Sequence, residues 1–183
     1  VHGILTKAKF GTHSGTSVQQ DFVEAPSQML ENWVWDEQVI NLLSGHYKDP
    51  TQKLPKDLLK KMLAAKDHMA GYYNMRQLVL ATFDMTLHTK YNVQRPEKLY
   101  AYLVKDLMGI SVPEDQLFPA GFGHLGGYDA GYYGYMWSKV YASDMFTRFA
   151  KEGLLNSKTG LDYRFKVLEP GGSKKPMELL KDF

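Results

Sequence analysis

The spacing of apolar residues restricts the fold of this chain more than any other feature of its sequence. After Pro26, apolar side chains recur every three or four residues, and the same spacing returns in several later segments. Residues spaced in this way lie on one face of an α-helix. We therefore predict helices over about Ala25–Ser44, from Leu58 onward, over 69–87, from Pro96 to about Gly109, over 132–153 and from Pro176.

Signals for β-strands are nearly absent from the sequence. No two segments alternate apolar and polar residues in the way that paired strands do, and only Arg164–Leu168 resembles a strand. The predicted fold class is therefore mainly α, with at most one minor short strand element. A chain of 183 residues is long enough for one continuous core, because chains near this size bury roughly 70% of the surface that they expose when unfolded. We expect residues 1–183 to form a single helical domain.

Charge and composition argue against several classes of function. The chain has 22 basic and 20 acidic residues, so its net charge of +2 gives no electrostatic reason to expect a nucleic acid or an anionic membrane as partner. It has no run of about 18 consecutive apolar residues, the length that a membrane-spanning helix needs. Because cysteine is absent, a metal site would depend on His, Asp or Glu.

A carboxylate just before the first predicted helix belongs to the most distinctive segment of the chain. The run Asp21–Trp33, with Glu24 before Ala-Pro-Ser-Gln, resembles a segment of the zinc oligopeptidases of the thimet oligopeptidase, neurolysin and saccharolysin family, peptidase family M3. In that family a His-Glu-x-x-His helix gives two zinc ligands and the general base, and a later glutamate is the third ligand. The resemblance implies that Glu24 is that ligand. On the residues alone, Glu24 is a carboxylate favoured by the dipole of the following helix.

The other half of such a zinc site is missing from the sequence. His-Glu-x-x-His occurs nowhere among the six histidines, and the family's spacing places the motif before Val1. The resemblance implies that the chain is a C-terminal part of the catalytic domain, truncated at both ends. Glu31, seven residues after Glu24, shares its helix face if the helix begins early enough, so it is a candidate to accept a hydrogen bond from a zinc-binding histidine. An ordinary solvated glutamate is the equally open alternative.

A second segment, Phe122–Tyr135, interleaves glycines with tyrosines. It resembles the glycine-rich substrate loop of the same family, and the resemblance extends through Ser143–Phe146, Leu154–Lys158 and Leu168–Ser173. Two departures stand out: His124 and Tyr128 are one residue closer than in the family, and Met145-Phe146-Thr147 lacks a histidine before the threonine. The resemblance implies catalytic roles for His124, Tyr128 and Tyr135, and substrate binding by Gly126, Gly127 and Tyr132.

Physical chemistry supports the roles that the resemblance implies, and also offers a plainer interpretation. Glycine lets a backbone move and approach a peptide closely, while a phenol can donate a hydrogen bond to a developing oxyanion. Taken alone, however, an aromatic stripe at Tyr132, Tyr133 and Tyr135 is more often core packing, and His124 is then a loop histidine with an ordinary hydrogen bond.

The resemblance implies a zinc-dependent metalloendopeptidase that hydrolyses short peptides by means of a zinc-bound water, with one zinc ion in the intact enzyme. The expected partners are short peptide substrates and the missing N-terminal part of the same enzyme. The expected location is cytoplasmic, with the mitochondrial intermembrane space as a further location within the family. The alternative is a catalytically inactive helical fragment or binding module that retains the scaffold without zinc.

Overall fold

The structure, a computed structural model, describes residues 2–183, and nearly all regular structure in this part of the chain is helical. This confirms the mainly α class. The α-helices are α1 (His2–Leu5), α2 (Ala25–Leu30), α3 (Glu37–Leu43), α4 (Lys56–Ala65), α5 (Ala70–Thr89), α6 (Pro96–Met108), α7 (Phe118–Gly121), α8 (Gly134–Glu152), α9 (Ser157–Tyr163) and α10 (Pro176–Asp182). Short 3-10 helices span Gly11–His13, Glu31–Trp35, Gly123–Gly126 and Gly171–Ser173.

Two sequence predictions about local structure are wrong. The single helix predicted over about Ala25–Ser44 is three segments, because Asp36 adopts an extended conformation and its side chain accepts a hydrogen bond from the Val39 amide, which caps α3. The strand-like segment Arg164–Leu168 is a π-helix that continues α9. Its two consecutive apolar residues at the end, Val167 and Leu168, are both buried, which alternation on a strand would not achieve.

The chain divides into two compact units. The first unit comprises the chain up to His68 together with Lys139–Phe183, and the second unit is Met69–Ser138. The division falls within α8. Within residues 2–183, no helix combines the length and the apolar character needed to cross a bilayer.

The first unit is built around one apolar cluster. The indole of Trp33 packs edge-on against Phe146 and Phe149, with ring centroids 5.6 and 4.9 Å away, and its Nε1 donates to the Leu154 carbonyl at 3.0 Å. The buried members of the cluster are Phe22, Ala25, Met29, Ala142, Met145, Phe149, Tyr163, Val167, Leu168 and Leu179.

Two adjacent glycines of the first unit lie against other backbone. A Cβ added at Gly172 would lie 2.0 Å from the Ser17 carbonyl oxygen, and one added at Gly171 would lie 2.5 Å from that of His13. Gly171 also has a φ of +53°, in the left-handed region that side chains disfavour. Only glycine therefore fits at these two positions without a shift of main chain.

The second unit is built on α5 and α6, which pack along each other. Its buried cluster consists of Val79, Leu80, Phe83, Tyr100, Leu103, Val104, Phe122 and Tyr132. The helix α6 starts with Pro96 and is followed by Gly109 at a φ of +71°, as its sequence predicts. The almost uninterrupted apolar pattern over 69–87 predicts a buried helix, but this is wrong in part, since Tyr72, Tyr73 and Leu78 are exposed.

Candidate functional site

Four aromatic side chains that the sequence singled out converge in the second unit. The Tyr135 hydroxyl and Nε2 of His124 are 3.2 Å apart and share a hydrogen bond. The His124 ring also packs edge-on against Tyr132 and Tyr128, with centroids 5.0 and 5.7 Å away. The rings of Tyr128 and Tyr135 stack at 5.4 Å with an interplanar angle of 12°. These contacts hold a histidine and three phenols in one small volume.

Local backbone structure brings these side chains together. His124 lies on the 3-10 helix Gly123–Gly126, and its carbonyl accepts from the amide of Tyr128 at 2.7 Å, which closes the turn. The helix α8 then begins at Gly134, so Tyr135 lies in its first turn. One compact turn and one helix start therefore place all three predicted catalytic residues.

A buried carboxylate that sequence reasoning missed holds this segment. Asp84 of α5 is 1% exposed, and its two carboxylate oxygens accept from the amides of Ala130 and Tyr132 at 3.0 and 2.9 Å. Ala130 has a φ of +53°, so the chain is in a left-handed conformation between the two bonds. The Nδ1 atom of His88 lies 3.0 Å from the same carboxylate. The available signal was one acidic residue within the apolar pattern of α5.

Tyr132 is the most enclosed phenol of the group. It is 6% exposed, and its hydroxyl donates to Oε1 of Gln77 at 3.0 Å. Burial raises the pKa of the Tyr132 phenol and the neighbouring Tyr135 raises it further, while Arg76 and the bond to Gln77 act in the opposite direction. With its pKa raised above the ordinary value near 10, this phenol is protonated at neutral pH and serves as a donor.

His124, Tyr128 and Tyr132 line a cavity of about 600 Å³ within the second unit, and Tyr135 contacts all three of them without being one of the lining residues. A Cβ added at Gly123, Gly126 or Gly127 would meet no atom within 4 Å, so the fold does not require glycine there for lack of space. The volume lies in the range of sites for small ligands. The lining residues are Arg76, Leu80, Phe118, Gly121, Phe122, Gly123, His124, Gly126, Gly127, Tyr128 and Tyr132.

The two predicted metal-site carboxylates lie in the first unit. Glu24 is the residue before α2, is partly buried, and accepts a hydrogen bond at Oε2 from the Ser27 hydroxyl at 3.0 Å. Glu31 is exposed and begins the 3-10 helix that follows α2, so no uninterrupted α-helix joins the two carboxylates. The proposal that they share one helix face depended on such a helix.

The described residues do not supply the full ligand set of a catalytic zinc ion. A catalytic zinc takes three protein ligands from His, Cys, Asp or Glu. Within residues 2–183, no three such residues lie together in a way that could hold a metal. The described part of the chain therefore offers Glu24 as one candidate ligand and does not form a zinc site by itself.

Comparison with known proteins gives a consistent result. The sequence model of peptidase family M3 matches residues 1–183. Oligopeptidase A of Salmonella typhimurium is 42% identical over 189 residues, which cover 100% of this chain and 28% of that protein. Thimet-like oligopeptidase of Dictyostelium discoideum is 40% identical, with 100% and 28% covered. Saccharolysin of Saccharomyces cerevisiae is 38% identical, with 100% and 26% covered. The chain thus spans little more than a quarter of the length of these relatives.

Proposed function

This chain belongs to peptidase family M3, and we propose that it forms the part of a zinc-dependent oligopeptidase that carries the third zinc ligand and the substrate-binding loop. The observation that supports this most is the clustering of His124, Tyr128 and Tyr135, of which His124 and Tyr128 line a cavity of about 600 Å³. The names of the relatives as oligopeptidases support short peptides as the substrates. We further propose that residues 1–183 are the C-terminal part of a catalytic domain in a longer polypeptide, here called the complete protein, in the cytoplasm.

The cluster is suited to stabilise negative charge on a peptide carbonyl. A tetrahedral intermediate develops an oxyanion, and donors that are already in place stabilise it strongly because they need no reorganisation. Tyr135 and His124 are held by their mutual hydrogen bond, and the stacked ring of Tyr128 restricts the ring of Tyr135. In this proposal the Nε2–H of His124 donates to the Tyr135 hydroxyl, which leaves the phenol proton of Tyr135 for the oxyanion, and Tyr128 orients Tyr135 and contacts the substrate.

The glycines and Tyr132 are proposed to bind the peptide main chain. Gly126 and Gly127 line the cavity, and each has open space where a side chain would be. A peptide can therefore approach their backbone more closely than it could approach a residue that has a side chain. Tyr132 packs against His124 and presents part of the same wall.

Glu24 is proposed as the zinc ligand of this chain, and Glu31 as an acceptor for the ring N–H of a zinc-binding histidine. Zinc bound by two imidazoles and one carboxylate polarises a carbonyl and lowers the pKa of a bound water to about 7. Within this chain, the Ser27 hydroxyl donates to Oε2 of Glu24 and so restricts the orientation of the carboxylate. The two histidines and the general base would come from the remainder of the complete protein.

The proposal is tested on the complete protein by measuring intact mass, zinc content and cleavage of a quenched fluorescent short peptide. We expect one zinc per protein and cleavage that a chelator abolishes. Glu24→Gln should lower zinc content and activity together, whereas Tyr135→Phe should lower activity and leave zinc content unchanged. Full zinc content in Glu24→Gln would contradict the ligand role of Glu24.

The second candidate function is a catalytically inactive binding module. The observation in its favour is that the described residues bring no three metal ligands together. It predicts that the complete protein binds a short peptide at the cavity but neither contains zinc nor cleaves the peptide. Chelator-sensitive cleavage would exclude it.

A further inference from the structure

The cavity of the second unit carries one formal charge. Arg76 of α5 is among its lining residues, and neither Asp nor Glu is. The remaining polar groups are the His124 ring, the phenols of Tyr128 and Tyr132, and glycine backbone. Among the lining residues, Arg76 therefore supplies the one full charge, and that charge is positive.

Arg76 differs from the other arginines in having no carboxylate partner among residues 2–183. Arg95 pairs with Glu97, Arg148 pairs with Glu152 and Asp162, and Arg164 pairs with Glu169. No ion pair of Arg76 occurs within residues 2–183, although its side chain is partly buried.

The charge of Arg76 affects the pKa of two buried phenols of the second unit. It acts to lower the pKa of Tyr132 and of Tyr100, against the larger effect of burial, which raises both. A positive charge that reaches two buried phenols also reaches a ligand in the cavity, since low-polarity walls screen it less than water does.

We propose that Arg76 binds a carboxylate of the peptide substrate. A guanidinium presents its N–H groups as a planar fork that matches a carboxylate in two parallel hydrogen bonds, and partial burial strengthens such bonds. Leu80, Phe118 and Phe122 supply an apolar wall of the same cavity, against which the adjoining side chain of the peptide packs. The inference rests on the proposed function, because it takes the cavity as the peptide site.

The carboxylate has two possible sources, the free C-terminus of the peptide and an Asp or Glu side chain. A short peptide always carries the first within a few residues of the scissile bond. Recognition of the C-terminus would select oligopeptides over long chains, whereas recognition of a side chain would select sequence. The experiment therefore uses three peptides of equal length: one with a free C-terminal acid, its C-terminal amide, and that amide with one internal glutamate.

The kinetic test compares the complete protein with Arg76→Gln, Arg76→Lys and the matched control Arg95→Gln, an arginine outside the cavity lining. We expect one of the two carboxylate peptides to exceed the neutral amide in kcat/KM by about 10- to 100-fold, the range for a hydrogen bond to a charged group. Arg76→Gln should reduce that ratio to about 1. Arg76→Lys should keep part of it, because the charge stays and the fork is lost, and Arg95→Gln should keep all of it.

Binding of a peptide with a reduced, uncleavable bond separates this inference from the proposed function. Discrimination between the acid and the amide that disappears in Arg76→Gln supports the role of Arg76 even if the protein cleaves nothing. The inference is overturned if the protein cleaves normally and Arg76→Gln leaves both kcat/KM ratios, acid to amide and glutamate to amide, unchanged. The proposed function would still stand in that case. Circular dichroism of each variant confirms that the fold is retained.

Discussion

Gly126–Gly127 in the second unit and Gly171–Gly172 in the first unit look alike in sequence, but the structure explains them in opposite ways. A side chain at Gly172 or Gly171 would collide with carbonyl oxygens at 2.0 and 2.5 Å, whereas one at Gly126 or Gly127 would meet nothing within 4 Å. The fold of the first unit therefore needs glycine at 171 and 172. The fold of the second unit does not need glycine at 126 and 127 for lack of space, which supports a role for these two residues in leaving room for a ligand.

The two segments also differ in what holds them. Gly171–Gly172 lies directly against the backbone at His13 and Ser17, so close packing of main chain fixes it. The segment after Gly127 is fixed by one buried side chain, since Asp84 accepts the amides of Ala130 and Tyr132. Main-chain packing at Gly171–Gly172 is lost only when the surrounding backbone moves. The hydrogen bonds from Asp84, in contrast, can be removed by substituting that one side chain.

The largest effect is expected for Gly172→Ala. Its Cβ would lie 2.0 Å from the Ser17 carbonyl oxygen, and backbone cannot move aside as a side chain does, so the free energy of unfolding should fall by about 3 kcal/mol or more. Denaturant unfolding of the complete protein measures this, with Gly126→Ala as control. Equal stability of the two variants would remove the distinction between the pairs.

Tyr135→Phe is expected to lower kcat about 100-fold with little change in KM, because the hydroxyl donates mainly to charge that develops during the reaction. Steady-state cleavage of a fluorogenic peptide measures it. The matched control is Tyr133→Phe, an exposed tyrosine of the same segment. A similar loss in both variants would show that the effect is not specific to the cluster.

Asp84→Asn should cost about 2 kcal/mol of unfolding free energy, because one of the two accepting oxygens becomes an NH2 group, which cannot accept from the backbone N–H that it faces. Hydrogen exchange at Ala130 and Tyr132 should accelerate before exchange in α6 does. Unchanged exchange at these two amides would mean that other contacts hold the segment.

Gly126→Ala should change the unfolding free energy by no more than about 0.5 kcal/mol, the usual range for a substitution in open space. If the peptide main chain lies against this residue, KM should nevertheless rise several-fold. Wild-type KM in this variant would argue that the open face of Gly126 is not part of the peptide site.

The smallest effect at neutral pH is expected for Tyr163→Phe. Burial raises the pKa of Tyr163, and its hydroxyl has no hydrogen-bond partner among the described residues, so its loss should be nearly neutral. The folded state holds this proton more tightly than the unfolded state, whose tyrosines titrate near 10. Stability from Tyr163 is therefore present below about pH 10 and lost as the pH rises further. Between pH 8 and 11, the unfolding free energy should therefore fall less with rising pH for Tyr163→Phe than for wild type, as denaturant unfolding at each pH would measure.

Proline and glycine at helix ends made some elements predictable from the sequence, whereas a side-chain cap within an apolar pattern made another unpredictable. Pro96 and Gly109 mark both ends of α6 because proline suits a first helical turn and glycine accepts a left-handed φ. Asp36 ends the predicted Ala25–Ser44 helix because its side chain caps α3 instead. Nothing in the apolar spacing records that competition, since Trp33, Ile40 and Leu43 continue the helical period across the break.

The site shows the same limit at longer range. His124, Tyr128 and Tyr135 lie close together in the sequence, and a turn followed by a helix start is enough to unite them. Arg76, Gln77 and Asp84 lie on α5, about fifty residues earlier, and only packing of the second unit brings them to the same segment. Their roles are contacts between distant parts of the chain, which apolar spacing does not encode.

The indole of Trp33 gives the first unit an intrinsic optical probe. Because it is packed between two phenylalanine rings and bonded to the Leu154 carbonyl, its emission should lie at shorter wavelength than that of Trp137, which is 52% exposed in the second unit. Fluorescence should therefore shift to the red when the first unit unfolds and respond little when only the second unit opens. An emission spectrum can thus distinguish unfolding of the first unit, which Gly172→Ala favours, from opening of the second unit, which Asp84→Asn favours.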